Sequence, residues 1–208
     1  MNKKILPPSE MLSPLPAVMV SCGTMDESNI ITIAWTGILN SKPPMAYISV
    51  RPERYSHDII KESGEFVLNV TTKELAKATD FCGCTTGAKV DKFKKCGLTK
   101  KAGEHVSCPL IAESPINIEC KVREIIPLGS HDMFMADIVA VHVNEDLYQK
   151  DGRIAIEKAD LLSYAHSCYL PTGTHPIGKF GFSVMKPKTK KKLDGKRRAA
   201  QRSGKKKA

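Results

Sequence analysis

Short apolar runs separated by polar breaks dominate the chain, at spacings that suit strands better than helices. PAVMVSC (16–22) and NIITIAW (29–35) flank the polar turn GTMDES, which predicts a β-hairpin. MAYISV (45–50) predicts a third strand, closed by Arg51-Pro52. Ser56 then reads as the cap of a short helix, SHDIIKES, with Ile59 and Ile60 facing inward and Gly64 as its stop. EFVLNV (65–70) predicts a fourth strand, and a second helix around 73–81 leads into the loop CGCTTGAKVDKF. Further on, Ile116, Ile118, Cys120 and Val122 alternate with Asn117, Glu119, Lys121 and Arg123, the period of a half-buried strand. MFMADIVAVHV (133–143) follows a tight turn at 128–132, and IGKFGFSV (177–184) predicts the last strand. Strands dominate and the helices are short insertions, so the expected fold is mainly β, an antiparallel and closed or nearly closed barrel. Closure removes sheet edges that would otherwise invite aggregation.

Composition narrows the class. The chain has 208 residues, 41% of them apolar, and no apolar run approaching the roughly 20 residues that span a bilayer. The N-terminus carries lysines but interrupts its apolar stretch with prolines, which excludes a signal peptide on this reading. Seven cysteines, an odd number, argue for reduced thiols, and a cytoplasmic location is expected. Four cysteines fall 12 residues apart, but their flanks share nothing, and Cys82-Gly-Cys84 lacks zinc-knuckle spacing, so no metal is expected. The net charge of +10 is uneven: residues 186–208 hold 12 Lys/Arg against Asp194 alone, leaving 20 basic and 21 acidic side chains in residues 1–185. The expected organisation is therefore one domain over 1–185 and a basic, disordered tail over 186–208, which attracts polyanions in a salt-dependent way. Neither a GxGxxG after a strand nor a Walker loop is present.

Three places could carry chemistry. In SVRPERYSH (49–57), Arg51 and Arg54 stand beside a helix start with Ser56 and His57. Forked guanidinium donors next to free helix N–H groups suit a phosphate, and surface arginines beside an ordinary cap fit the local pattern equally well. Thr86-Gly87 with Lys92 can cradle a phosphate or ring edge, although by itself a solvated polar loop is the better reading. His131, at a turn between two strands, could bind an anion or move a proton, although a lone turn histidine is more often only a hydrogen-bonded surface residue. Trp35, the single tryptophan, could stack on a planar ligand, although a core or interface aromatic is the default reading.

Taken in order, NIITIAW, ISVRPERYSHDIIKESGEFVLNV, DFCGCTTGAKVDKF, LGSHDMFMADIVAV and IGKFGFSV resemble the flavin reductase-like, or flavoredoxin, family over roughly residues 14–185. The resemblance implies an FMN-binding split β-barrel, Greek-key-like, that works as a homodimer with non-covalent FMN. It implies that Thr32, Ile33, Ala34 and Trp35 lie along the flavin ring. Ser49, Val50, Arg51, Ser56 and His57 would then hold ring and phosphate, with Arg54 as a further phosphate partner. Thr86, Gly87 and Lys92 would close over the flavin, and His131 would stand near its reacting face as the catalytic candidate. The implied activity passes electrons from NADH, NADPH or a reduced protein to a small-molecule or protein acceptor through FMN. The alternative is a non-enzymatic FMN-binding electron carrier with a polyanion-binding tail.

Overall fold

The computed structural model describes residues 1–178 and 180–186, in two units, 1–174 and 175–208. The first unit contains the elements that matter for function. In chain order these are β1 (Leu15–Pro16), β2 (Val18–Gly23), β3 (Ser28–Ile33), β4 (Thr36–Ser41), β5 (Pro44–Val50), α1 (Tyr55–Ser63), β6 (Glu65–Val70) and α2 (Ala76–Cys84). They continue with α3 (Lys92–Cys96), β7 (Lys100–Lys101), β8 (Leu110–Ile111), β9 (Ile116–Pro127), β10 (Asp132–Val143), β11 (Leu162–Ala165) and β12 (Cys168–Pro171).

Seven strands form one sheet in the order β3-β2-β6-β9-β10-β5-β4, every neighbour antiparallel. β3 and β4 are consecutive in sequence yet lie at opposite edges, so the sheet must curl to let the chain pass between them. The Ser49 N–H donates to the Trp35 carbonyl at 2.9 Å and draws β5 against the segment leaving β3. The result is a split barrel. Register shifts between Met135 and Ala136 and between Ile138 and Ala140 sharpen the bend of the long β9–β10 ribbon.

Alternation explains the packing. Val18, Val20 and Cys22 point into the barrel with Ile48, Ile60, Phe66 and Phe134, while Met19 points outward to Ile30, Leu75, Cys82, Phe93 and Ile111. β2 is thus covered on both faces, which accounts for its unbroken burial. Buried polar groups on this outer side are paired: Asn69 donates to the Met19 carbonyl at 2.9 Å and accepts from Asn117 at 2.8 Å.

Most predicted elements are present, with three corrections. Ser56 is not the helix cap; Arg54 is, because Ser56 is 1% exposed and its hydroxyl accepts from Asn29 Nδ2 at 2.7 Å. Lys92 and Phe93, the end of the expected loop, instead begin α3, opened by Asp91 accepting from the Lys94 N–H at 3.1 Å and closed by Gly97. In the second unit, the described part of 177–184 is not a strand. Gly181 takes φ 82° and a single 3₁₀ turn covers Phe182–Val184, with Ile177 98% and Phe180 108% exposed. Among the described residues, no strand pairs with this segment. The basic tail from 187 onward lies outside the described residues. Among the described residues, no helix is long and apolar enough to cross a membrane.

Candidate functional site

Antiparallel pairing brings the site together. β10 pairs with β5 so that Asp132 lies opposite Val50, which sets the β9–β10 turn and His131 beside the C-terminal end of β5. The chain leaving β3 passes the same end. A cavity of about 180 Å³ forms there. Thr32, Ile33, Ala34 and Trp35 line one side of it; Ser49, Val50, Arg51 and Arg54 line another, and His131 completes it. The His131 ring lies tilted on Trp35, with 4.6 Å between centroids.

A second cavity, of about 230 Å³, adjoins the start of α1 and is lined by Arg54, Tyr55, Ser56, Thr86, Gly87 and Lys92, among others. The two share Ile31 and Arg54 as walls. Together they fall within the roughly 300–1,000 Å³ typical of small-molecule sites.

The second cavity offers several donors to an anion, with the Glu53 carboxylate as the opposing charge in its wall. Arg54 caps α1 with extended backbone and without a side-chain bond, and the N–H groups of Tyr55 and Ser56 have no protein partner among the described residues. A helix of nine residues thus presents open donors and the positive end of its dipole to this wall. Lys92 is 3% exposed and spends two of its three N–H groups on the Ile30 carbonyl (2.6 Å) and the Cys82 carbonyl (2.9 Å). Burial pulls its pKa down, while the nearby thiols Cys82, Cys22 and Cys96 oppose that shift. An anion in the cavity would favour the ammonium.

Gly87 closes the wall. A Cβ on it would sit 2.1 Å from Asn29 Oδ1, so the loop approaches Asn29 as closely as only glycine allows. Asn29 in turn holds Ser56. Around the first cavity the charge is also positive, and it acts on His131: burial, then Arg51 and Arg54, lower its pKa, with Glu53 opposing. A neutral imidazole is thereby favoured at the cavity mouth.

Thirteen of the fourteen predicted site residues line one cavity or the other; His57 lines neither. It is buried against Phe134, with Nε2 2.9 Å from Asp132 Oδ2 and Nδ1 2.9 Å from Asp58 Oδ1. Asn29, Tyr55 and Cys82 also line the second cavity; Asn29 and Tyr55 did not stand out in the sequence, and Cys82 did so only as a thiol beside the loop. Burial pushes the Cys82 thiol up to about 12, with Cys96 adding to the shift, so it is an inert wall residue. No cluster of three metal-ligating side chains exists among the described residues.

A family model described as a flavin reductase like domain matches residues 11–170. The chain belongs to the flavin reductase-like family. A relative from Archaeoglobus fulgidus, itself uncharacterized, is 33% identical over 153 residues, covering 74% of this chain and 85% of its own. The ferric-chelate reductase (NAD(P)H) of the same organism is 29% identical, over 66% of this chain and 74% of its own. Among solved structures, flavoredoxin of Desulfovibrio vulgaris (Miyazaki F) superposes with a TM-score of 0.80 at 31% identity, covering 88% of this chain and all of that one. The matched segment of this flavin reductase-like chain contains both cavities and every residue that walls them.

Proposed function

We propose that the chain is an FMN-binding oxidoreductase that passes electrons from NADH or NADPH to an acceptor. The observation that carries this reading is the pair of adjoining cavities: one at a helix start that has no side-chain capping bond, the other a slot beside a strand end with Trp35 and His131 at its mouth. Their joint shape and charge suit a planar ring joined to a single phosphate, and family membership supports a flavin. The residues fit the group. Arg54, Lys92 and the Tyr55 and Ser56 N–H groups would hold the phosphate, while backbone from Thr32 to Trp35 and from Ser49 to Val50 would border the ring.

Bound FMN would supply reversible acceptance of a hydride or of single electrons. The chain's own part is orientation and electrostatics. Arg51 and Arg54 place positive charge where the reduced ring would be anionic, and His131 offers a neutral imidazole that orients a reactant at the mouth. Trp35, Ile38 and Leu39 are 39%, 67% and 42% exposed along and beside the β4 edge, which favours a second copy of the chain as the cover of this mouth.

Anaerobic addition of NADH or NADPH to the FMN-loaded protein tests the reading. Bleaching of the visible flavin bands within seconds is expected. A bound flavin that stays oxidised would assign the chain to the electron carriers instead.

A further inference from the structure

The site has two histidines nearby, and only one of them reaches a cavity. His57 lies in the first turn of α1, 4% exposed, its ring 5.3 Å from that of Phe134 and nearly perpendicular to it. It bridges two carboxylates, Asp58 at Nδ1 and Asp132 at Nε2, both at 2.9 Å. These contacts are unequal. Asp58 belongs to the same helix and its side chain is 77% exposed, so water competes for it. Asp132 is 17% exposed and opens β10, next in sequence to His131. The Nε2–Asp132 bond therefore spans from the helix whose start walls the anion cavity to the turn that carries His131. That turn is exposed from Pro127 to Ser130 and has few packing constraints of its own. At its end, His131 Nδ1 lies 2.9 Å from Ser130 Oγ and its ring rests on Trp35.

We propose that His57 is a positioning residue: through its bond to Asp132 it sets the place of the His131 ring over Trp35. The anion-side helix and the mouth of the ring-side cavity are thereby coupled. His57 touches neither cavity, so any effect it has on chemistry passes through His131.

Trp35 is the only tryptophan, and its emission reports the imidazole resting against it. The measurement uses the full chain without added flavin, with His131→Ala as the reference for loss of the contact. His57→Phe and Asp132→Ala are expected to shift Trp35 emission toward that reference, and to do so non-additively when combined. His57→Gln, which keeps an N–H donor, is expected to stay close to wild type. Should His57→Phe fail to fold, Asp132→Ala gives the same reading from outside the helix. Emission that changes in His131→Ala but in neither of the others would overturn the proposal. Emission unchanged even in His131→Ala would overturn it as well, because there would be no contact to position.

The kinetic arm rests on the function proposed above. His57→Phe should slow flavin reduction by about 10- to 100-fold in the wild-type background. In the His131→Ala background the further loss should be under about twofold. Equal losses in both backgrounds would show that His57 does not act through His131. A wild-type protein that neither nucleotide reduces would remove the functional reading, while the fluorescence arm would still decide the positioning claim.

Discussion

Gly87→Ala tests the construction of the anion cavity from its tightest point. The added Cβ would lie 2.1 Å from Asn29 Oδ1 and 2.4 Å from its Cγ, so Asn29 or the loop must retreat by about 1 Å or more to regain ordinary separations near 3.5 Å. Asn29 has little room, being 4% exposed with its Nδ2 donating to Ser56 Oγ at 2.7 Å. If Asn29 yields, a buried donor is left unpaired, at about 1–3 kcal/mol. Overpacking adds a cost of about 1–3 kcal/mol, reduced where the loop shares the strain. The expected total is about 2–4 kcal/mol, with FMN affinity reduced at least about tenfold because Ser56 and Gly87 both wall the cavity. Urea denaturation and a fluorescence titration with FMN read the two effects separately. Gly97→Ala is the control: its φ is 65° with nothing within 4 Å of the added Cβ, so backbone strain of about 1–2 kcal/mol is expected with FMN affinity unchanged. A Gly87→Ala protein with wild-type stability and wild-type FMN affinity would refute the packing argument.

Other perturbations probe different parts of the account. Arg54→Ala should weaken FMN by about 10- to 150-fold, the loss of charge-assisted bonds worth about 1.5–3 kcal/mol, and weaken riboflavin far less in the same titration. Glu119 is fully buried; burial raises its pKa, but the Glu104 and His105 N–H groups and His142 outweigh that and hold its carboxyl below its ordinary value. A carboxyl with a lowered folded-state pKa contributes stability that is complete above the unfolded value of about 4.3 and is lost as pH falls through the lower folded one. Wild type should therefore lose stability on acidification below about pH 4.5, measured by urea midpoints. Glu119→Gln should be less stable at neutral pH and show a shallower acid slope, and an unchanged slope would assign the acid sensitivity elsewhere. Thiol titration of the native protein should label the exposed Cys84 and Cys168 rapidly and spare Cys22, Cys82 and Cys120, whose thiols burial pushes up to about 11, 12 and 12. Rapid labelling of Cys82 would mean that the loop over the cavity opens.

β9 and β10 were legible as strands from their apolar alternation, but the start of β9 is buried on both faces: Asn117 and Glu119, expected on the solvent side, are 7% and 0% exposed, paired there with the Ile111 carbonyl and with the Glu104 and His105 N–H groups. Gly64 marked the end of α1 as its φ of 67° requires. β4 was missed. Thr36–Ser41 is an edge strand exposed over most of its length, so no alternation betrays it, and its pairing with β5 is a long-range fact. The 177–184 segment shows the converse error: apolar spacing suggested a strand, and its described part holds a 3₁₀ turn instead. At the site, Arg51, Arg54 and Thr86-Gly87 were legible as residue types, since phosphate chemistry demands such donors. Asn29 was not, because its role depends on Ser56, 27 residues away, and on a loop that only the fold brings near. Lys92 read locally as a solvated loop lysine; the structure buries it beneath β3 and α2, where its carbonyl partners explain why it can stay there.

The most direct test of the central claim, that the paired cavities hold a flavin mononucleotide by its phosphate, is an equilibrium titration of the flavin-free protein with FMN and with riboflavin side by side. The two ligands share the ring and differ by the phosphate. FMN is expected to bind at least about 100-fold more tightly, the equivalent of roughly 2.7 kcal/mol from Arg54, Lys92 and the open N–H groups of α1. Equal affinities, or no binding of either ligand, would contradict the assignment of the α1 cavity as the phosphate site.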